Sequence, residues 1–167
     1  MKRVYEGRVF AVEVGRMPFP NGSEHDVAIV RHRPSVVLVP MLADGRVLLI
    51  RQYRPATNRV MWELPAGSID ADEPLEAAAV RECAEETGLV PGKVEQLAAH
   101  YPAPGFCDER LVFFRAPELV PAGPDSPYHA DDDEDIETRA CTLAEARAMV
   151  ARGEIEDLKT AFGLTLV

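Results

Sequence analysis

Hydrophobic and polar positions alternate loosely from Val4 to Val14, the two-residue period of a strand with one covered face. Pro20-Asn21-Gly22 marks a turn, and Asp26 to Arg31 follows as the partner strand. From Ser35 to Leu42 the alternation stops. That run is almost wholly apolar, which suits a strand buried on both faces. Ala43-Asp44-Gly45 predicts a hairpin into Arg46 to Ile50, because Asp-Gly takes positive φ readily. Val60 to Leu64 is a short strand that runs into Pro65-Ala66-Gly67.

The period then changes to that of a helix. Pro74 suits its first turn, Asp70, Asp72, Glu73 and Glu76 crowd its positive end, and Gly88 closes it. Strands fit Val94 to Tyr101 and Arg110 to Arg115, with a long Pro/Gly/Asp-rich loop over Pro117 to Asp133. Glu137 to Cys141 makes a last strand. Leu143 to Arg152 is a helix with Thr142 as N-cap and Glu145 completing a capping box. A final helix starts near Glu154. The succession predicts one mixed α/β domain over residues 1–167.

One segment resists this pattern. Arg81 to Leu89 places Glu82, Glu85 and Glu86 on neighbouring helical positions, where like charges repel. At about 100° per residue, Leu75, Ala79, Glu82 and Glu86 share a narrow sector, with Ala77, Val80 and Ala84 opposite. Two readings stand: a solvated acidic face, or a helix packed on its far side that holds carboxylates at the mouth of a cleft. Arg81, four residues before Glu85, is placed to pair with it. In a cleft, clustered carboxylates need a hard cation, and oxygen-only donors select Mg²⁺, Mn²⁺ or Ca²⁺ over zinc.

Charge sharpens the second reading. The chain of 167 residues carries a net charge of -10, which argues against a nucleic-acid backbone as partner. A phosphate ester would need metal ions or placed arginines to enter such a protein. Cys83, Cys107 and Cys141 match no zinc or redox spacing and suit reduced thiols in the cytoplasm. His25, His32, His100 and His129 show no ligand spacing, and no stretch is long enough to span a membrane. Trp62 reads as core more readily than as a ligand platform.

A longer pattern joins these residues: Gly67, five residues, Glu73, seven residues, then Arg81-Glu82-Cys83-Ala84-Glu85-Glu86-Thr87-Gly88-Leu89. This resembles the Nudix box with every fixed position filled, a match expected by chance on the order of 10⁻⁸ per start site. Trp62 to Gly67 before it, and Tyr101 to Glu109 after it, look like the ADP-ribose pyrophosphatase branch, with Pro104 as that branch's marker. The resemblance runs from about Val36 through the final helix and is weaker in the first thirty residues.

The resemblance implies a Nudix α/β/α sandwich with a mixed sheet. It implies hydrolysis of the diphosphate of ADP-ribose to AMP and ribose 5-phosphate, with two or three Mg²⁺ ions and Mn²⁺ as a substitute. Glu82, Glu86 and the carbonyl of Ala66 would be metal ligands, and Glu85 a ligand or the holder of the attacking water. The branch's general base lies in the loop before the last strand, here Asp131 to Ile136. Alignment makes Glu134 a ligand and puts Asp132, one methylene shorter than the usual glutamate, at the base position. Either that loop sits closer or Glu134 is the base; an exposed acidic loop is the bland reading. Arg51 and Arg54 fit a phosphate or a surface ion pair. Pro104, Gly105 and Glu109 would face the substrate, Glu109 near the terminal ribose. The resemblance also implies a homodimer, with residues 1–31 reaching the partner's site. Other nucleoside diphosphate sugars, dinucleotides, or nucleotide sensing without cleavage are the alternatives. Sensing modules often lose a box glutamate, and none is lost here.

Overall fold

The computed structural model describes residues 1–128 and 136–167. Asp132 and Glu134 lie outside the described residues. Twelve strands and three helices follow in chain order among those described: β1 (Lys2–Glu6), β2 (Phe10–Pro18), β3 (Glu24–His32), β4 (Ser35–Pro40), β5 (Val47–Arg54), β6 (Arg59–Glu63), β7 (Ala66–Ser68), α1 (Leu75–Thr87), β8 (Leu89–Pro91), β9 (Glu95–His100), β10 (Leu111–Ala116), β11 (Leu119–Pro121), β12 (Glu137–Cys141), α2 (Leu143–Ala151) and α3 (Leu158–Gly163).

The centre is a mixed sheet in the order β7-β4-β10-β9. Strand β10 runs parallel to β4, while β7 and β9 are antiparallel to their neighbours. All six residues of β4 are buried, as its unbroken apolar run requires. Side chains alternate across it. Val36 and Leu38, with Val112 and Phe114 of β10, pack under Ala78, Ala79 and Cys83 of α1. Val37, Val39 and Phe113 face the other way, against Leu49 of β5, Met149 of α2 and Leu164 beyond α3. Each large side chain so buried contributes roughly 1.5–3 kcal/mol, which fixes the register of both faces. This is the expected α/β/α arrangement.

A second sheet, β12-β5-β6, carries the α2 side of the core, and β1-β2-β3 forms a separate antiparallel leaf. The leaf meets the body where Val30 bonds to Phe106 and Asp108, and where Asp108 accepts from the His32 amide.

Several boundaries differ from the sequence pattern. Val4 to Val14 is two strands, because the chain reverses at Gly7, whose amide bonds to the Phe10 carbonyl at 2.9 Å. The Asp44-Gly45 turn forms, with Gly45 at φ 83. It does not close a simple hairpin: beyond the Met41–Val47 bridge, β4 and β5 part into different sheets. The Pro117–Asp133 loop contains β11, which pairs with β8 just after α1.

Candidate active site

Helix α1 begins after Pro74 and ends at Gly88, whose φ of 70 and hydrogen bond to the Ala84 carbonyl form the expected left-handed cap. Its buried stripe corrects the far-side expectation. Ala78, Ala79 and Cys83 face the sheet, and Glu82 and Glu86 lie on that same stripe, 8% and 6% exposed. Of the opposite sector, Ala77 is exposed and Val80 half-buried, while Ala84 is buried as well. The carboxylates are therefore held between helix and strand, where an acid side chain is rarely found without partners.

Two backbone features receive them. The Ala66 amide donates to Glu86 Oε2 at 2.8 Å. Gly67 is packed so closely on Glu82 that a Cβ there would overlap the carboxylate. Glycine is required here by space, since only its hydrogen lets the acid approach β7. Strand β7 is itself placed by β4, with Gly67 opposite Val36.

Arg81 links the remaining acids. Its guanidinium donates to Glu73 twice (2.9 and 2.8 Å), to Glu82 (2.7 Å), to Glu85 (2.9 Å) and to the Ser68 carbonyl (3.0 Å). The expected Arg81–Glu85 pair is present, and the sequence reading missed the other contacts. The Glu73 bonds, opposed by a smaller push from burial, hold that carboxyl below its usual range. The surrounding carboxylates raise the Arg81 guanidinium further above its ordinary value, against its own burial. Burial pushes the neighbouring Cys83 thiol up to about 12, so it stays protonated.

These groups line a cleft of ≈ 770 Å³. Ala66, Gly67, Glu82, Glu85 and Glu86 form one part of its wall. Arg54, Asp157 and Lys159 form another, and Arg8, His32, Arg33, Ser35 and Glu109 a third. Arg54 is held by a two-point bond to buried Glu63, both contacts at 2.8 Å. Lys159 pairs with the same carboxylate and with Asp157 at 3.1 Å. Burial pushes Glu63 upward, yet Arg54 and Lys159 outweigh it and hold the carboxyl below its ordinary value.

The other sequence candidates are not in the wall. Arg51 and Arg54 are three apart on β5, so they face opposite sides. Arg51 bonds Glu137 at 3.2 Å and lies 5.7 Å from the Trp62 ring centroid. Trp62 packs against the core, as expected, with Arg139 5.8 Å from its ring centroid. Pro104 and Gly105 belong to the turn over Ala103–Cys107 that docks on β3, and Pro102 lines the cleft instead. Lys159, His32 and Ser35 were missed, because only the tertiary fold brings them to Glu63 and Glu109.

Among the described residues no three His, Cys, Asp or Glu side chains stand at ligand spacing. Arg81 engages three of the box carboxylates directly, those of Glu73, Glu82 and Glu85. The donor set nonetheless fits a hard divalent cation: Glu82, Glu85, Glu86 and the Ala66 carbonyl offer only oxygen, and Gly67 keeps the approach clear. Mg²⁺ in particular takes few carboxylates and keeps several waters, so it needs no finished cage.

The comparisons agree with this geometry. The NUDIX domain profile matches residues 31–161. An ADP-ribose pyrophosphatase of Bacillus subtilis (strain 168) is 32% identical over 163 residues, covering 98% of this chain and 87% of its own. A GDP-mannose pyrophosphatase of Citrobacter koseri is 40% identical over 146 residues, covering 79% and 75%. A crystal structure of an ADP compounds hydrolase superposes with a TM-score of 0.82 at 25% identity, covering 99% of this chain and 88% of that one. The chain belongs to the Nudix family of hydrolases. Pyrophosphatases of this family need divalent metal ions. No helix among the described residues is long and apolar enough to cross a membrane.

Proposed function

We propose that the protein hydrolyses the diphosphate of ADP-ribose to AMP and ribose 5-phosphate, with Mg²⁺ as the working ion and two or three ions per site. The observation that carries this reading is the seating of Glu82 and Glu86 against Ala66-Gly67 in a cleft that Glu85 also lines. A relative covering nearly the whole chain is named for ADP-ribose, which favours it over other nucleoside diphosphate sugars. The GDP-mannose relative supports the second reading, a sugar other than ribose on another nucleotide.

Glu82, Glu85, Glu86 and the Ala66 carbonyl would hold the ions. When bound, these supply positive charge to the diphosphate and lower the pKa of the attacking water. Arg81 orients Glu82 and Glu85 through its guanidinium contacts to both. Arg54, locked by Glu63, presents a fixed donor edge to a phosphate. Asp132 or Glu134 takes the proton of the attacking water.

The exposed Val4, Tyr5 and Phe10 on the β1–β3 leaf favour a homodimer in which residues 1–31 reach the partner. The unpaired thiols favour the cytoplasm.

Glu82→Gln or Glu86→Gln should lose several orders of magnitude in AMP release while melting normally. Near-normal turnover in either contradicts the ligand assignment. Asp132→Asn and Glu134→Gln, compared at saturating Mg²⁺, identify the base; equal and minor losses discredit the loop. A panel of ADP-ribose, GDP-mannose and dinucleotides separates the substrate readings, and release of AMP alone from ADP-ribose meets the first.

A further inference from the structure

Several arginines of this acidic chain stand tight against carboxylates. Arg3, Arg31, Arg54 and Arg81 each hold at least one acid at 3.2 Å or closer. Two arginines in the cleft wall do not. Arg8 has no ion-pair partner among the described residues, and Arg33 reaches only Asp70, at 3.6 Å, with both side chains exposed.

The fold brings these two to one corner of the cleft. Strand β2 pairs with β3 so that Phe10 lies opposite His32. The turn before Phe10, closed by the Gly7 amide on the Phe10 carbonyl at 2.9 Å, therefore carries Arg8 to the end of β3, where Arg33 follows. That end is fixed. The Asp108 carboxylate takes the His32 amide at 2.8 Å, and His32 Nδ1 donates to the Arg33 carbonyl at 2.6 Å. The Pro34 carbonyl accepts from the Ile69 amide at 3.0 Å.

Two guanidinium groups at one corner repel each other. In a protein of net charge -10, an acid between them would be the ordinary remedy. A bound anion is the other, and the planar N–H forks of arginine match phosphate oxygens in pairs. This anion is not the diphosphate, which belongs with Ala66, Glu82 and Glu86. Ala66 pairs with Val37, four residues beyond Arg33. In extended chain that is roughly 13 Å, with Ser35 between. A phosphate at that remove is joined to the diphosphate through a sugar. We propose that Arg8 and Arg33 form a subsite for a third phosphate, esterified to one of the two sugars of a nucleoside diphosphate sugar. The inference rests on the reading of the cleft as a nucleoside diphosphate sugar site and narrows its substrate class to sugar-phosphorylated members.

The test measures kcat/KM for ADP-ribose, ADP-ribose 2′-phosphate and ADP-ribose 1″-phosphate in wild type, Arg8→Ala, Arg33→Ala and Arg33→Lys. The second substrate carries its extra phosphate on the nucleoside ribose, the third on the distal ribose. Wild type should prefer one of the two over ADP-ribose by about tenfold, the scale of one hydrogen bond to a charged group. Which one it prefers names the sugar at this corner. The preference should vanish in either alanine variant, survive in part in Arg33→Lys, and shrink as salt is raised. Equal losses on all three substrates mean general attraction of anions and overturn the subsite, as does a wild type that favours neither added phosphate. Calorimetry with Mg²⁺ reads the same preference without turnover, from adenosine 2′,5′-bisphosphate against AMP and ribose 1,5-bisphosphate against ribose 5-phosphate. Cleavage of ADP-ribose with no preference in either assay refutes the subsite alone. A binding preference lost in Arg8→Ala, with none of the three substrates cleaved, upholds the subsite and refutes the substrate reading.

Discussion

Replacing Gly67 by alanine isolates the contact on which the site is built. The new Cβ would overlap the Glu82 carboxylate, and ordinary contact begins near 3.4 Å, so the acid must retreat by roughly 1 Å. The obstacle is the end of a flexible side chain, so the backbone keeps its path and Tm should move by only a few degrees. A misplacement of about 1 Å at a reacting group costs about a hundredfold, or ~2.7 kcal/mol in the barrier. Gly67→Ala should therefore fold normally and lose about two orders of magnitude in kcat. Steady-state release of AMP measures this, with circular dichroism and Tm as the folding control. The double variant with Glu82→Gln supplies the decisive arm. If alanine acts by displacing Glu82, the double variant is no slower than Glu82→Gln alone, because the same group cannot be lost twice. Additive losses, or wild-type kcat in Gly67→Ala, would refute the reasoning.

Arg81→Lys should cut kcat by about tenfold to a hundredfold, since one ammonium cannot replace bonds spread over three carboxylates; unchanged kcat at saturating metal would count against it. Glu63→Gln should cost about 2 kcal/mol of stability by denaturant melting, less than the ~3–5 of a fully buried pair because Arg54 is 39% exposed. Because the Glu63 carboxyl lies below its ordinary 4.5, its contribution is present above that pH and is lost as pH falls through the folded value. The Tm gap between wild type and variant should close in acid, and a constant gap would disprove the linkage. Arg8 makes no ion pair among the described residues, and Arg33 pairs only with exposed Asp70 at 3.6 Å. Replacing both by alanine should lower kcat/KM and flatten its dependence on salt, with kcat preserved; an unaltered salt slope would remove them from substrate capture.

Much of this was legible in the chain because it was local. The apolar run of β4, the Gly88 cap of α1 and the Thr142–Glu145 capping box announce themselves within a few residues, and each formed as expected. Strands β8 and β11 did not, since three residues carry no period and they exist only through each other. The parting of β4 from β5 was hidden for a related reason: the turn specifies a reversal, while parallel pairing with β10 decides which sheet β4 joins. In the site, the spacing of the glutamates was visible and their orientation was not. Angular position alone does not say which side of α1 meets the sheet; the small side chains of Ala78, Ala79 and Cys83 do. The Glu63–Lys159 and Ser35–Glu109 contacts span 96 and 74 residues, beyond any reading of local pattern.

The register that sets Gly67 across from Val36 means that scaffold and chemistry share a single rung. Trimming or enlarging Val36, an invisible interior change on most proteins, shifts the seat of Glu82 together with the footing of α1. Efforts to harden this enzyme by refilling its interior would find β4 the least forgiving place to begin, and the α2 side, a layer removed from the box, the more tolerant one.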